Sequence, residues 1–169
     1  MKSLIIMGTS RGDGNTKLIT KKLGKLIASE IIELNELDIS YYDYLHENKN
    51  DDFIPLAEKI IQQDIIILST PVYWYTMSAQ LKTFLDRTSD LITIRKDLGR
   101  QLNGKKMFVL SSGSQPVLPP HFDEPIRLTA NYFGMDFLGS EYFFFDKDGV
   151  IAPNHEEKLN KISKEFLQV

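Results

Sequence analysis

The chain has 169 residues with 42% hydrophobic and 25% charged residues, enough for one domain with a buried core and without the bias of a disordered or fibrous protein. Its formal charge of −3 and scattered Lys and Arg offer no basic stripe for nucleic acid. With no cysteine there is no disulfide, thiolate nucleophile or cysteine-ligated cluster. No apolar run approaches the ~18 residues of a membrane span, and Met1 to Met7 is too short for a signal peptide, so a cytoplasmic protein with no membrane partner is expected.

Leu4 to Met7 form an unbroken apolar run, as in a parallel strand covered on both faces. The loop GTSRGDGNT, residues 8–16, follows, and then Ile19, Leu23, Leu26 and Ile27 recur at helical spacing. Ile31 to Leu37 read as a second strand and residues 40–50 as loop. Phe53, Leu56, Ala57, Ile60 and Ile61 mark the next helix, with Asp51 or Asp52 as N-cap and Pro55 in its first turn.

IIILS after Asp64 is a third strand. Met77, Leu81, Phe84, Leu85 and Leu91 then share a helical face, while Gln80, Lys82, Asp86 and Arg87 are placed to meet water, Asp86 and Arg87 in a structural role. KKMFVLSS is a fourth strand. A helix through Ile126, Ala130 and Phe133 stops at Gly134, and MDFLGSEYFFF contains the last strand. Asn154 and Glu157 have capping-box spacing for a final helix with Leu159, Ile162 and Phe166 on its face. Five strands alternating with five helices predict an α/β three-layer sandwich: one parallel sheet of order 2-1-3-4-5, helices on both faces, in one domain over 1–169.

In such folds ligands sit beyond the carboxyl ends of the strands where the order reverses. Gly8, Gly12 and Gly14 let the backbone curl with its N–H groups inward, at the positive end of the following helix. Thr9, Ser10, Asn15 and Thr16 supply donors and Arg11 a charge, which suits one phosphate. The same residues also suit a ligand-free helix start capped by Asn15 or Thr16. The loop is not a nucleoside-triphosphate P-loop, because Asn15 stands where the lysine belongs and five residues rather than four separate Gly8 from Gly14. Nor is it the dinucleotide fingerprint, whose third glycine is replaced by Lys17.

STPVYWYTMS, residues 69–78, lies at the same sheet edge and carries Val72, Tyr73, Trp74 and Tyr75 where loops are usually polar. A phosphate cradle beside aromatic surface fits a planar ligand with one phosphate, and flavin mononucleotide (FMN) answers that description. Packing of single rings on the core or on a second subunit is the competing reading.

The blocks G-T-S-R-G-D-G-N-T, T-P-V-Y-W-Y-T-M-S-A-Q-L-K-T-F-L-D-R and A-N-Y-F-G-M resemble the NAD(P)H-dependent FMN reductase family of flavodoxin-like proteins, over most of the chain. The resemblance implies that Thr9, Ser10, Arg11, Asn15 and Thr16 hold the phosphate. It also implies that Pro71, Val72, Tyr73 and Trp74 border the isoalloxazine, with backbone N–H groups of 72–75 near its N5 edge, and that Ser112, Gly113 and Ser114 close a third side. Some relatives carry a cysteine cluster for an iron–sulfur centre; a chain without Cys implies the FMN-only form.

The chemistry implied is oxidation of NADPH or NADH through FMN, with electrons passed to a small acceptor such as a quinone, a nitro or azo compound or free flavin. No obligatory side-chain acid, base or metal is expected. The alternative is a flavodoxin-type electron carrier without direct NAD(P)H oxidation, against which the modest charge argues. A receiver-like signalling module is disfavoured by Met7-Gly8-Thr9 and Ser69-Thr70 at its acidic positions. A hydrolase is disfavoured because Ser111, Ser112 and Ser114 do not sit in G-x-S-x-G.

His46, His121 and His155 are expected at the surface or in caps. Arg95, Lys96 and Arg100 form a basic loop, either solvated or drawing the nicotinamide nucleotide's phosphates. Tyr41, Tyr42, Tyr44 and Phe143 to Phe145 belong to the core or to a partner surface, and a homodimer is expected because similar flavoproteins place the flavin at a dimer interface.

Overall fold

The computed structural model describes the backbone of residues 1–167 and the side chains of 1–165. Its strands are β1 (Ser3–Met7), β2 (Glu30–Glu33), β3 (Ile65–Pro71), β4 (Lys106–Gly113) and β5 (Asp136–Phe144). Its helices are α1 (Asn15–Leu26), α2 (Phe53–Ile60), α3 (Ala79–Arg87), α4 (Lys96–Arg100), α5 (Glu124–Tyr132) and α6 (His155–Leu167). All five strands are parallel, in the order β2-β1-β3-β4-β5 predicted from the element pattern.

Because side chains alternate across a strand, the apolar runs divide between two cores. Leu4, Ile6, Ile66, Leu68, Met107 and Val109 pack with residues of α2, α3 and α5 on one face. Ile5, Ile65, Ile67, Phe108 and Leu110 pack on the other with Ile19 and Leu23 of α1 and Leu159 and Ile162 of α6. Phe143 and Phe145 are buried in this second core, whereas Tyr41 and Tyr44 stand in solvent. The side chain of Phe166 lies outside the described residues. No described helix is long and apolar enough to cross a membrane.

Several local expectations are corrected. The second strand stops at Glu33 instead of Leu37, because its one neighbour, β1, ends at Met7 opposite Glu33; Leu34–Glu36 then form a 3-10 turn that tucks Leu34 into the core. Asp52 occupies the N-cap position of α2 without capping it; Asp51 Oδ1 accepts from the Phe53 N–H at 3.0 Å instead. Leu91 belongs to a 3-10 turn (Thr88–Ile92) after α3, and α4 follows where a basic loop was expected. Arg95 is engaged there by Asp97 and Glu58, at 3.0 Å each. Gly134 does take the left-handed conformation, φ 69°, just past α5.

The main correction concerns Arg87, which is fully buried rather than facing water. Its Nε donates to Asp90 Oδ2 at 2.9 Å, Nη2 to Asp51 Oδ1 at 3.1 Å and Nη1 to the Ser40 carbonyl at 3.1 Å; Nη1 also pairs with Asp51 Oδ2. The guanidinium lies 4.9 Å from the centre of the Phe53 ring. Asp90 Oδ1 is bonded in turn to His46 Nδ1 at 2.9 Å, so this histidine, placed at the surface by its sequence context, is a part-buried brace. The cluster fastens the irregular segment 38–52 to the end of α3. A lysine would not serve, because one fork must satisfy two carboxylates and a carbonyl.

Burial acts to raise the Asp51 carboxyl. Hydrogen bonds from Arg87 and from the Phe53 and Ser40 N–H groups outweigh it and hold the group below the usual carboxylate range. A carboxyl depressed on folding stabilises the native state above its unfolded pKa of about 3.9, and that contribution disappears as pH falls through the folded value. Urea titrations from pH 7 downward will therefore show a loss of stability below about pH 4 that is smaller in Asp51→Asn. Arg87→Met, which leaves two buried carboxylates without their cation, will lower the unfolding free energy at pH 7 by about 3–5 kcal/mol in the same assay.

Candidate functional site

The loops after β1 and β3 leave the same edge of the sheet, but α1 packs on one face and α3 on the other. A cleft of about 320 Å³ opens where they part. Thr9, Arg11, Gly14, Asn15 and Thr16 line one side, Pro71, Val72 and Tyr73 the second, and Ser112, Gly113 and Ser114 the third. Gly14, one of the three glycines expected to curl the loop, lines the cleft; Gly8 and Gly12 do not. Ser10 and Trp74 were expected in the site but do not line the cleft: the Ser10 hydroxyl bonds the Tyr73 hydroxyl at 3.2 Å across the mouth, and Trp74 is 89% exposed.

The floor is a ladder of buried hydroxyls. Thr16 Oγ1 shares a 2.7 Å hydrogen bond with Ser112 Oγ, joining α1 to β4. Thr20 Oγ1 donates to the Thr16 carbonyl at 2.7 Å and lies 2.6 Å from Ser69 Oγ, joining α1 to β3. Behind the third wall, Tyr142 Oη donates to the Gln115 carbonyl at 2.6 Å, and burial pushes its phenol above the ordinary value. A Cβ on Gly113 would come within 2.9 Å of that oxygen, so a side chain there would have to displace the Tyr142 hydroxyl.

Ser78 is the residue that sequence reading missed. It is the N-cap of α3, accepting from the Leu81 N–H at 3.2 Å. Its hydroxyl donates to the Gly8 carbonyl at 2.7 Å, and its N–H donates to Thr70 Oγ1 at 3.0 Å. A serine directly before a helical run was the available signal. Gly8 sits so close to α3 that a Cβ would be 2.7 Å from Leu81 Cβ and 2.9 Å from its backbone nitrogen. The turn after β5 also reaches the cradle: a Cβ on Gly149 would meet Asn15 Oδ1 at 3.9 Å.

The electrostatics favour one anion. The N-cap of α1 is Gly14, with no side-chain capping bond and no acidic residue in the first turn, so the positive helix end is left to a ligand. Arg11 is exposed and only loosely matched by Asp13 at 3.4 Å. Lys17, next along the helix, is held instead by Glu33 at 2.6 Å. Asn15 or Thr16 as a side-chain cap, the ligand-free alternative, does not occur.

Beyond Tyr73 the chain makes a two-residue hairpin turn. Tyr73 and Thr76 exchange backbone hydrogen bonds of 2.8 and 3.1 Å, and between them Trp74 and Tyr75 have φ of 47° and 70°. Positive φ at both central positions is the type I′ pattern, which favours Asn and Gly. Holding other residues there costs of order 1–3 kcal/mol each.

The sequence model of a family described as NADPH-dependent FMN reductase matches residues 1–149. The Bacillus subtilis (strain 168) protein YwqN, named as an NAD(P)H-dependent FMN-containing oxidoreductase, is 31% identical over 166 residues, 92% of each chain. Among solved structures, the Trp repressor binding protein from Bacillus subtilis superposes with a TM-score of 0.75 at 26% identity over 96% of each chain. General stress protein 14 from Treponema denticola, solved in complex with FMN, shares the fold at a TM-score of 0.63 and 18% identity, over 99% of this chain and 97% of that one. The match over nearly the whole chain, together with a flavodoxin-like sheet and an uncapped cradle at its switch point, establishes that this chain belongs to the NADPH-dependent FMN reductase family.

Proposed function

We propose that the cleft binds FMN and that the protein passes electrons from NAD(P)H through it to a small-molecule acceptor. The carrying observation is the uncapped N-terminus of α1, facing a cleft whose second wall is Pro71, Val72 and Tyr73. Asn15 and Thr16, with the loop N–H groups and Arg11, would hold the phosphate. Thr9 already donates to the Arg11 carbonyl at 2.9 Å and so shapes the loop. Pro71 to Tyr73 would border the ring, and Ser112 to Ser114 would close it from the β4 side.

Bound there, FMN supplies the two-electron chemistry between nicotinamide and acceptor. The chain's part is to bind and orient. The bond between Val72 N–H and the Ser112 carbonyl, 2.7 Å, locks the second wall to the third, and the Thr16–Ser112 pair fixes the cradle beneath them. No described lining residue is His, Asp or Glu.

The cradle predicts selective dependence on phosphate. Arg11→Ala and Asn15→Ala should each raise the Kd for FMN about tenfold, while riboflavin, which lacks the phosphate, binds unchanged. The flavin of purified holoprotein should bleach anaerobically with NADPH or NADH. A flavin that stays yellow with both sinks the enzyme reading in favour of a flavodoxin-type carrier, whose docking surface the charge of −3 does not favour.

A cytoplasmic homodimer accompanies this reading. Leu128 and Tyr132, four residues apart on α5, are 53% and 70% exposed and border a groove with Ile92 from the turn after α3. We assign that face to a second copy. Sedimentation should give twice the 19.4 kDa chain mass, reduced to one chain in Tyr132→Glu.

A further inference from the structure

Resting on the FMN reading above, we propose that Glu33 determines the specificity of the cradle: by neutralising Lys17 behind the phosphate loop, it keeps the site matched to a phosphate monoester and turns pyrophosphates away. The need follows from the reaction. FMN carries a single phosphate, whereas the nicotinamide nucleotide that reduces it carries a pyrophosphate, and both must come to one cleft.

The pair sits where it can act. Glu33 ends β2 opposite Met7, the residue before the loop, and Lys17 lies in the first turn of α1, just after the loop. Lys17 Nζ meets Glu33 Oε1 at 2.6 Å, and the two side chains are only 18% and 14% exposed, so salt screens them little. A Cβ on Gly12 would stand 3.9 Å from the same Nζ, which puts the ammonium against the back of the curl. Thr9, Arg11 and Gly14 of that curl line the cleft, and neither Lys17 nor Glu33 does.

Charge gives the pair its effect. Between Gly8 and Thr20 the charged side chains are Arg11, Asp13 and Lys17. Lys17 is therefore a second cation beside the cradle, and its charge would add to the positive end of α1. Paired with Glu33 it adds nothing, and the cradle works with dipoles and one arginine. Unpaired, it would attract a highly charged pyrophosphate more than a monoester.

The carboxylate is also kept at a cost. Its Oε2 is buried with no hydrogen-bond partner among the described residues, an arrangement that folding penalises. A glutamine would still accept from Lys17 through its amide oxygen. What glutamate alone supplies is the negative charge.

Four proteins test the assignment: wild type, Glu33→Gln, Lys17→Met and the double variant Lys17→Met/Glu33→Gln, in which the pair is neutral, positive, negative and neutral. Each holoprotein is titrated with inorganic phosphate or inorganic pyrophosphate at matched ionic strength, and released FMN is separated by ultrafiltration and measured by its absorbance. The ratio of pyrophosphate to phosphate affinity is compared, because the FMN affinity of each variant cancels from it. The ratio should rise about tenfold in Glu33→Gln, fall in Lys17→Met and return to the wild-type value in the double variant. A purely structural role for Glu33 would not be restored by removing Lys17. An unchanged ratio in Glu33→Gln, or one that stays high in the double variant, overturns the assignment. Wild-type protein that retains no FMN overturns the cofactor reading instead, and calorimetric titration of the same four proteins with the two anions then decides the role of Glu33 by the same order of ratios.

Discussion

The cleft lies between two loops that leave one edge of the sheet for helices on opposite faces and are clamped to one another at their base by Ser78. Ser78 donates its hydroxyl to the Gly8 carbonyl while capping α3, and Gly8 itself bonds the Ser69 carbonyl at 2.8 Å. The bare Cα of Gly8 allows the end of β1 to lie against Leu81 at a distance no side chain would permit. Around that contact lie the curl of 8–14 on one side, the proline-led wall on the other, and the hydroxyl ladder of Thr16, Thr20, Ser69 and Ser112.

Charge is handled differently in the two halves of the molecule. Arg87, Asp51 and Asp90 are buried and engaged with one another, one guanidinium shared by two carboxylates where water cannot help, and they fix an irregular segment that has too few apolar residues to fix itself. In the cleft the arrangement is reversed. Lys17 is neutralised by Glu33, and the positive end of α1 is left uncapped among hydroxyls and amides. A site built from dipoles and neutral donors, with one exposed arginine, suits a ligand with a single anionic group better than a polyphosphate.

Among the described residues, the non-glycine positions with positive φ lie outside the strands: Trp74 and Tyr75 side by side at the rim, and Ala28, His46 and His121 singly elsewhere. The division follows from burial: a rigid two-sided core supplies the stability that lets an exposed turn keep an unfavourable backbone. The aromatic side chains there contribute nothing to the two hydrophobic cores.

Much of this was legible in the sequence because it is local. Runs such as IIM and IIIL declare buried strands, three- and four-residue spacing declares helices, and their alternation admits few topologies, so the order 2-1-3-4-5 follows without coordinates. GTSRGDGNT and TPVY likewise announce two loops at one sheet edge, with the residue types that a phosphate and a flat ring require. What the tertiary structure alone decided concerns partners distant in sequence. Arg87 reads as one more polar residue on an amphipathic helix until Asp51 is brought to it from 36 positions away. Ser78 reads as a simple cap until Gly8 arrives from 70 away. Trp74 and Ser10 pattern with the cleft residues, yet a turn and a hydroxyl pair set them outside it. Periodicity reports which face of an element is apolar; which polar group meets which is fixed only when the elements pack.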